Sequence, residues 1–253
     1  MCGRYASSRR PEDLIEEFEV VDDRTPAPLA ADYNVAPTKE VYAVLERGAR
    51  PPASPQDGAE PPQRQLRVLT WGLVPSWAKD PSIGNRMINA RMETVAEKPA
   101  FKRAFAVRRC LLPADGYYEW YPTSQTNAKG KPVKQPYFIR PADGGVLAMA
   151  GLYEIWRDQH LADDDPDRFR WTCTVLTTQA EDSLGHIHDR MPLMVERDRW
   201  ADWLDPRHGG ELSLLVPAAP GNLVAYPVAP LVSNVRNNGP ELVEPLPLED
   251  ALS

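Results

Sequence analysis

The sequence predicts an α+β fold: a mostly antiparallel, curved or barrel-like β-sheet with a few short peripheral helices. Three observations lead there. Segments rich in β-branched and aromatic residues recur along the 253 residues, whereas helix-like stretches are few and short. Polar, proline-rich or acidic loops separate those segments, and strand-like sequence flanks each loop. No internal repeat divides the chain, so residues 2–240 are expected to form one domain, followed by an acidic tail over 241–253.

In chain order, Pro11–Phe18 opens with a first-turn proline, has acids just after it, and carries Leu14, Ile15 and Phe18 on one face, the marks of a helix start. Strands are expected at Val41–Glu46 and Gln65–Leu73, with the Arg50–Pro62 stretch as a proline-rich excursion between them. A short helix over Pro99–Ala106 leads to strands at Val107–Leu112 and Gly116–Trp120. Tyr121–Gln135 is polar, contains Lys129-Gly130-Lys131, and reads as a hairpin tip or long loop. Strands follow at Tyr137–Arg140, Val146–Trp156, Arg170–Thr177 and Leu223–Val228, with an exposed acidic loop at Asp158–Asp167. Ala180–His186 and Glu196–Leu204 are helical; the latter sets Trp200, Trp203 and Leu204 at core spacing.

Apolar residues make up 42% and charged residues 26% of the chain, as in a globular protein without membrane spans. Three widely spaced cysteines form neither a disulfide framework nor a metal-ligand pair, and Cys110 and Cys173 are expected as buried thiols. The cytoplasm is the expected location. The net charge of −7 speaks against a nucleic-acid partner, yet Arg86, Arg91, Lys98, Lys102, Arg103, Arg108 and Arg109 crowd one segment against Glu93 and Glu97. A local basic surface on an acidic protein can hold phosphates.

The chemistry begins at the second residue. Cys2 is small enough to permit removal of Met1, which leaves an α-amine and a thiol on one residue. An amine condenses with an aldehyde to an imine, and the tethered thiol closes on the imine carbon to form a thiazolidine. Ile88-Asn89-Ala90-Arg91 puts an amide and a guanidinium two apart, on one face of an extended segment. Asp115-Gly116-Tyr117-Tyr118-Glu119-Trp120 embeds a carboxylate among aromatics, and desolvation there would raise its pKa and fit it for proton transfer. His186-Ile187-His188-Asp189-Arg190 holds two of the four histidines, the side chains suited to moving protons near neutral pH. No further ligand pattern accompanies this HxH, so neither metal nor cofactor is expected.

Taken together, MCGR at the start, YNVAP (Tyr33–Pro37), WGLVPSW (Trp71–Trp77), INAR-ET (Ile88–Thr94), ADGYYEW (Ala114–Trp120), HDRMP (His188–Pro192) and VSNVRNNG (Val232–Gly239) make the chain resemble the SRAP family, the SOS-response-associated peptidases or abasic-site processing proteins. The resemblance runs over nearly the whole chain. It implies a sensor of abasic sites in single-stranded DNA that captures the ring-opened aldehyde on Cys2. It implies Asn89 as the group positioning Cys2, with Glu119 and His188 as proton-transfer groups. Arg4, Arg91 and Arg190 would hold phosphates, and Trp77 would offer a stacking or wedging surface. Ala78 departs from members with a second aromatic after that tryptophan. Self-removal of Met1 and weak abasic lyase activity are implied side reactions; the protein is expected to be a monomer that meets the nucleoid when acting on DNA.

Three other readings stay open on sequence alone. Glutamine amidotransferases with an N-terminal nucleophile also begin Met-Cys-Gly, but usually continue with an aliphatic residue where Arg4 stands. A Cys–His peptidase could use Cys2 and His188. A non-covalent single-strand-binding module would need no thiol.

Overall fold

The computed structural model describes residues 2–47, 62–247, 249 and 251. The expected excursion at Arg50–Pro62 therefore lies outside the described residues, apart from Pro62. The first half contains β1 (Tyr5–Ser7), α1 (Pro11–Glu17), β2 (Asp22–Asp23), β3 (Asp32–Val35), β4 (Glu40–Arg47), β5 (Gln63–Trp71), β6 (Asn89–Arg91) and α2 (Lys102–Val107). The second half contains β7 (Arg109–Ala114), β8 (Gly116–Thr126), β9 (Pro132–Pro141), β10 (Leu147–Arg157), β11 (Phe169–Gln179), α3 (Asp182–Gly185), β12 (Arg190–Pro192), α4 (Trp200–Leu204) and β13 (Leu223–Pro227).

Strands β5, β4, β7, β10 and β11 pair antiparallel in that order, and a parallel contact of β11 with β5 closes them into a barrel. Strict alternation fixes which residues face inward. Val41, Ala43 and Leu45 on β4, Leu69 and Trp71 on β5, Cys110 and Leu112 on β7, Met149 and Tyr153 on β10, and Cys173 and Val175 on β11 all join one buried cluster. The intervening Tyr42, Val44, Leu111, Ala150, Leu152 and Leu176 face outward and are covered by Leu14 and Phe18 of the α1 segment, Phe105, Trp200 and Trp203. Cys110 and Cys173 are fully buried, as expected.

A second sheet, β13-β9-β8-β1-β3, brings the N-terminal strand into its interior. The hairpin β8–β9 is longer than predicted. Its strands run through most of Tyr121–Gln135, leaving a turn near Asn127–Lys131, because Tyr121 and Pro122 keep their pairing with Gln135 and Lys134. At the C-terminal side, Leu242 is fully buried and the Leu246 N–H donates to the Pro227 carbonyl, so residues just past 240 pack onto this sheet instead of forming a free tail from 241.

Two charge expectations change. Arg109, counted in the basic segment, is 2% exposed and donates to the carbonyls of Trp203, Phe105, Ala106 and Asp205, tying α4 to α2. Arg108 pairs with buried Glu154 at 2.6 Å. In the acidic loop, Asp158 is buried and pairs with Arg170 at 3.3 Å instead of lying in solvent.

Candidate functional site

The N-terminal strand sets the site. β1 pairs with β8 in the register Tyr5↔Tyr117 and Ala6↔Gly116, and the Tyr118 N–H donates to the Arg4 carbonyl. Continuing that register carries Glu119 to the Gly3–Cys2 end of the chain. The Tyr5 ring packs on Trp71, with centroids 5.1 Å apart, and locks β1 against the barrel.

Asn89 arrives from the other side. Gly72, at φ +133°, lets the chain leave β5 so closely past Gly84 that a Cβ would sit 2.7 Å from the Gly84 carbonyl oxygen. The Trp71 Nε1 and the Val175 N–H both donate to the Ile88 carbonyl, which seats β6 beside β11 with Asn89 opposite Val175. From there the Asn89 Nδ2 donates to the Cys2 carbonyl at 2.7 Å.

Cys2 itself is fully buried in the barrel cluster. Burial, joined by the nearby Glu119 charge, pushes its thiol well above the ordinary range. Glu119 is 4% exposed, and burial raises its carboxyl too, an effect that His188 partly opposes. His188 lies just before β12, on a loop whose Leu184 and Ile187 are buried in the cluster that includes Cys2. Its Nδ1 lies 3.0 Å from the Arg190 backbone N and 2.9 Å from the Asp189 carboxylate. Unprotonated, it accepts from Arg190; protonated, it pairs with Asp189.

The structure thus gathers Cys2, Asn89, Glu119 and His188, through a hydrogen bond and mutual charge effects. The four DNA-contact candidates are differently placed. Arg91 is exposed on β6, and Trp77 is 60% exposed on the turn after β5. Arg190 is held by Glu93, with bonds of 2.6 and 3.0 Å, and donates to the Thr177 carbonyl. Arg4 donates to Asn34 Oδ1 at 2.6 Å and to the Val232 carbonyl at 2.9 Å, with its guanidinium over Trp120. A cavity of about 780 Å³, floored by Leu147, Met191 and Met194, is lined by none of the four inner residues.

Asn34 was not singled out from sequence. It is fully buried, and its Nδ2 donates to the carbonyls of Val232, Asn234 and Asn237 while its Oδ1 receives Arg4. One amide therefore ties the N-terminal strand to the VSNVRNNG segment. The available signal was an asparagine between Tyr33 and Val35 in a four-residue strand.

A closed five-stranded barrel with Cys2 bonded to an asparagine, near a buried glutamate and a histidine, defines a class of protein. Residues 1–235 match the family model described as SOS response associated peptidase (SRAP), and the chain belongs to that family. It is 35% identical over 247 residues to "Abasic site processing protein YoaM" of Bacillus subtilis, covering 96% of this chain and 98% of that one. It is 31% identical over 254 residues to "Abasic site processing protein YedK" of Escherichia coli, covering 97% and 100%. A crystal structure of a Bacteroides thetaiotaomicron protein shares the fold, with a TM-score of 0.76 at 23% identity over 97% of this chain and 100% of that one. No helix among the described residues is long and apolar enough to cross a membrane. Among them, no group of three or more His, Cys, Asp or Glu could hold a metal.

Proposed function

We propose that this protein processes abasic sites in single-stranded DNA by capturing the ring-opened sugar aldehyde on Cys2 once Met1 is removed. The observation that carries the reading is the Asn89–Cys2 hydrogen bond, made where buried Glu119 meets the charges of the thiol and His188. The names of relatives of this length support abasic DNA as the substrate.

In the encoded chain the Cys2 nitrogen is an amide, so capture requires loss of Met1, by self-cleavage or by an aminopeptidase. The freed amine then attacks the aldehyde carbon, and loss of one water gives an imine. The sulfur adds to the imine carbon while the thiol proton passes to nitrogen, closing the thiazolidine. Asn89 holds the Cys2 backbone still during both steps. A carboxyl raised by burial suits Glu119 to give and retake protons. His188 is the second proton carrier, and the same pair could withdraw the proton that starts β-elimination, giving weak lyase activity.

Arg91 is the readiest phosphate contact; a phosphate at Arg190 would compete with Glu93. Trp77 supplies an exposed stacking face. We take the protein to act as a monomer in the cytoplasm and at the nucleoid, with the residues just past 240 packed on its second sheet as part of the working domain. Intact-mass spectrometry after mixing with an abasic oligonucleotide tests the reading. A heat-stable adduct lacking one water, absent in Cys2→Ala, is expected; wild-type adduct yield in Cys2→Ala refutes it.

A further inference from the structure

The inward-facing rows of the barrel do not stay apolar to their ends. On β4 the row Val41, Ala43, Leu45 continues to Arg47; on β5 the row Trp71, Leu69 continues to Arg67. Charged residues on inward positions are costly unless something compensates them. Both guanidiniums lie over the Trp171 indole, Arg47 at 5.2 Å and Arg67 at 4.3 Å from its centroid. Trp171 in turn stacks on Tyr153 at 5.7 Å.

Among the described residues neither arginine is ion-paired with a carboxylate, and Arg67's only hydrogen bond is to Gln65 Oε1 at 2.9 Å. This contrasts with their neighbours: Arg24, Arg64, Arg108 and Arg170 each pair with an acid. Burial, then the positive charges of Arg47 and Arg24, depress the Arg67 pKa and outrank the effect of Asp22. Two like charges thus share one ring, and among the described residues no carboxylate is bonded to either. A cavity of about 200 Å³ opens on the Arg47 side of the pair, lined by Arg47, Arg108, Tyr153, Ile155 and Glu46; neither Arg67 nor Trp171 lines it. Its volume is below the roughly 300–1,000 Å³ of drug-sized ligand pockets, so it suits a group rather than a whole molecule.

We propose that this barrel mouth binds a phosphate group, held by Arg47 and Arg67 on the Trp171 platform. A guanidinium held over an aromatic ring by its Cζ can still present N–H groups outward, and an N–H edge of a guanidinium matches two phosphate oxygens at once. The mouth is distinct from the Cys2 site. From Trp171 to Val175, which lies opposite the Asn89 that holds Cys2, the strand spans about 13 Å at roughly 3.3 Å per residue, and to Thr177, beside Arg91 and Arg190, about 20 Å. The inference goes beyond the abasic-site reading and does not depend on it.

The phosphate could belong to a nucleic-acid backbone or to a small phosphorylated molecule, and the test separates the two. Inorganic phosphate is titrated calorimetrically into the full-length chain, and undamaged single-stranded DNA is bound by fluorescence anisotropy over a salt series. Undamaged DNA keeps covalent capture out of the measurement. Arg47→Gln/Arg67→Gln should abolish binding of inorganic phosphate. If the backbone is the source, it should also flatten the log–log salt slope by about 1.4, at about 0.7 per lost single-strand contact. An unchanged slope with lost phosphate binding assigns the mouth to a small phosphorylated molecule. Arg47→Gln alone, at the exposed end of its strand, serves if the double variant fails to fold, and should weaken phosphate binding about tenfold. Unchanged phosphate affinity and salt slope in either folded variant, or no phosphate binding by wild type together with an unchanged slope, overturns the proposal.

Discussion

Replacing Asn34 with alanine would remove four hydrogen bonds at once: those to the carbonyls of Val232, Asn234 and Asn237, and the one received from Arg4. Each such bond contributes about 0.5–1.5 kcal/mol net, and groups left buried without partners cost more. Three of the four contacts are partly buried, so water recovers some of the loss, whereas the bond to Val232 is buried and is not replaced. The expected destabilisation is about 3 kcal/mol, or about 6–12 °C in Tm for a chain of this size. Asn34→Asp sharpens the test. It keeps an oxygen for Arg4 but turns a second oxygen toward three carbonyls. It should be as destabilising as alanine at neutral pH and recover in part below about pH 4, where the acid can donate one bond. Equilibrium urea unfolding of the three proteins measures this. A loss under 1 kcal/mol for Asn34→Ala would show that the two chain ends are joined by something other than this amide.

Glu119→Gln should change the pH dependence of stability. The folded carboxyl is raised by burial, so the native state holds its proton to higher pH than the unfolded chain does. Wild-type stability should therefore fall as pH rises from about 4.3 through the folded pKa, and the glutamine variant should lack that component; parallel stability–pH curves would contradict the assignment. Trp77→Ala should alter stability by at most about 0.5 kcal/mol, since the indole is 60% exposed, yet cost about 1–3 kcal/mol in single-strand affinity measured by anisotropy. Gly116→Ala should cost about 1–3 kcal/mol or more in urea unfolding, because a Cβ there would meet the Phe138 ring and stand 2.6 Å from the Ile139 carbonyl oxygen.

The barrel was legible because its strands are long enough to show their period. Val146–Trp156 and Arg170–Thr177 each predict a strand that the fold contains nearly residue for residue, as β10 and β11. Short pieces were not legible. β6 has three residues and becomes a strand only by pairing with β11, a partner no local pattern reveals. Sequence singles out Cys2, Asn89, Glu119 and His188 as candidates for the chemistry, but not their surroundings. Charge counting placed Arg109 on a basic surface, although α2 and α4 bury it under four carbonyls. Nor does sequence distinguish Arg91, which is exposed, from Arg190, whose fork Glu93 already fills. Both look like arginines two residues from a motif's reactive group; only tertiary pairing separates them.

The burial of Cys2 bears on the order of the proposed steps. A thiol held well above its ordinary range is neutral at physiological pH, and a neutral thiol is a poor first nucleophile. The freed amine has an ordinary pKa of about 7.7–8.0 and is partly unprotonated there, so nitrogen should attack first and sulfur second. Sulfur then needs no thiolate reservoir, because the imine carbon lies within the same residue's reach and Glu119 can relay the thiol proton to the nitrogen as the ring closes. The order is measurable by quenching the reaction with abasic single-stranded DNA at intervals, with and without borohydride. A borohydride-dependent adduct should rise and decline before the heat-stable adduct accumulates, and in Cys2→Ser it should persist. If the stable adduct grows from the first time point with no reducible precursor, sulfur leads, and the burial seen around Cys2 is relieved before the chemistry begins.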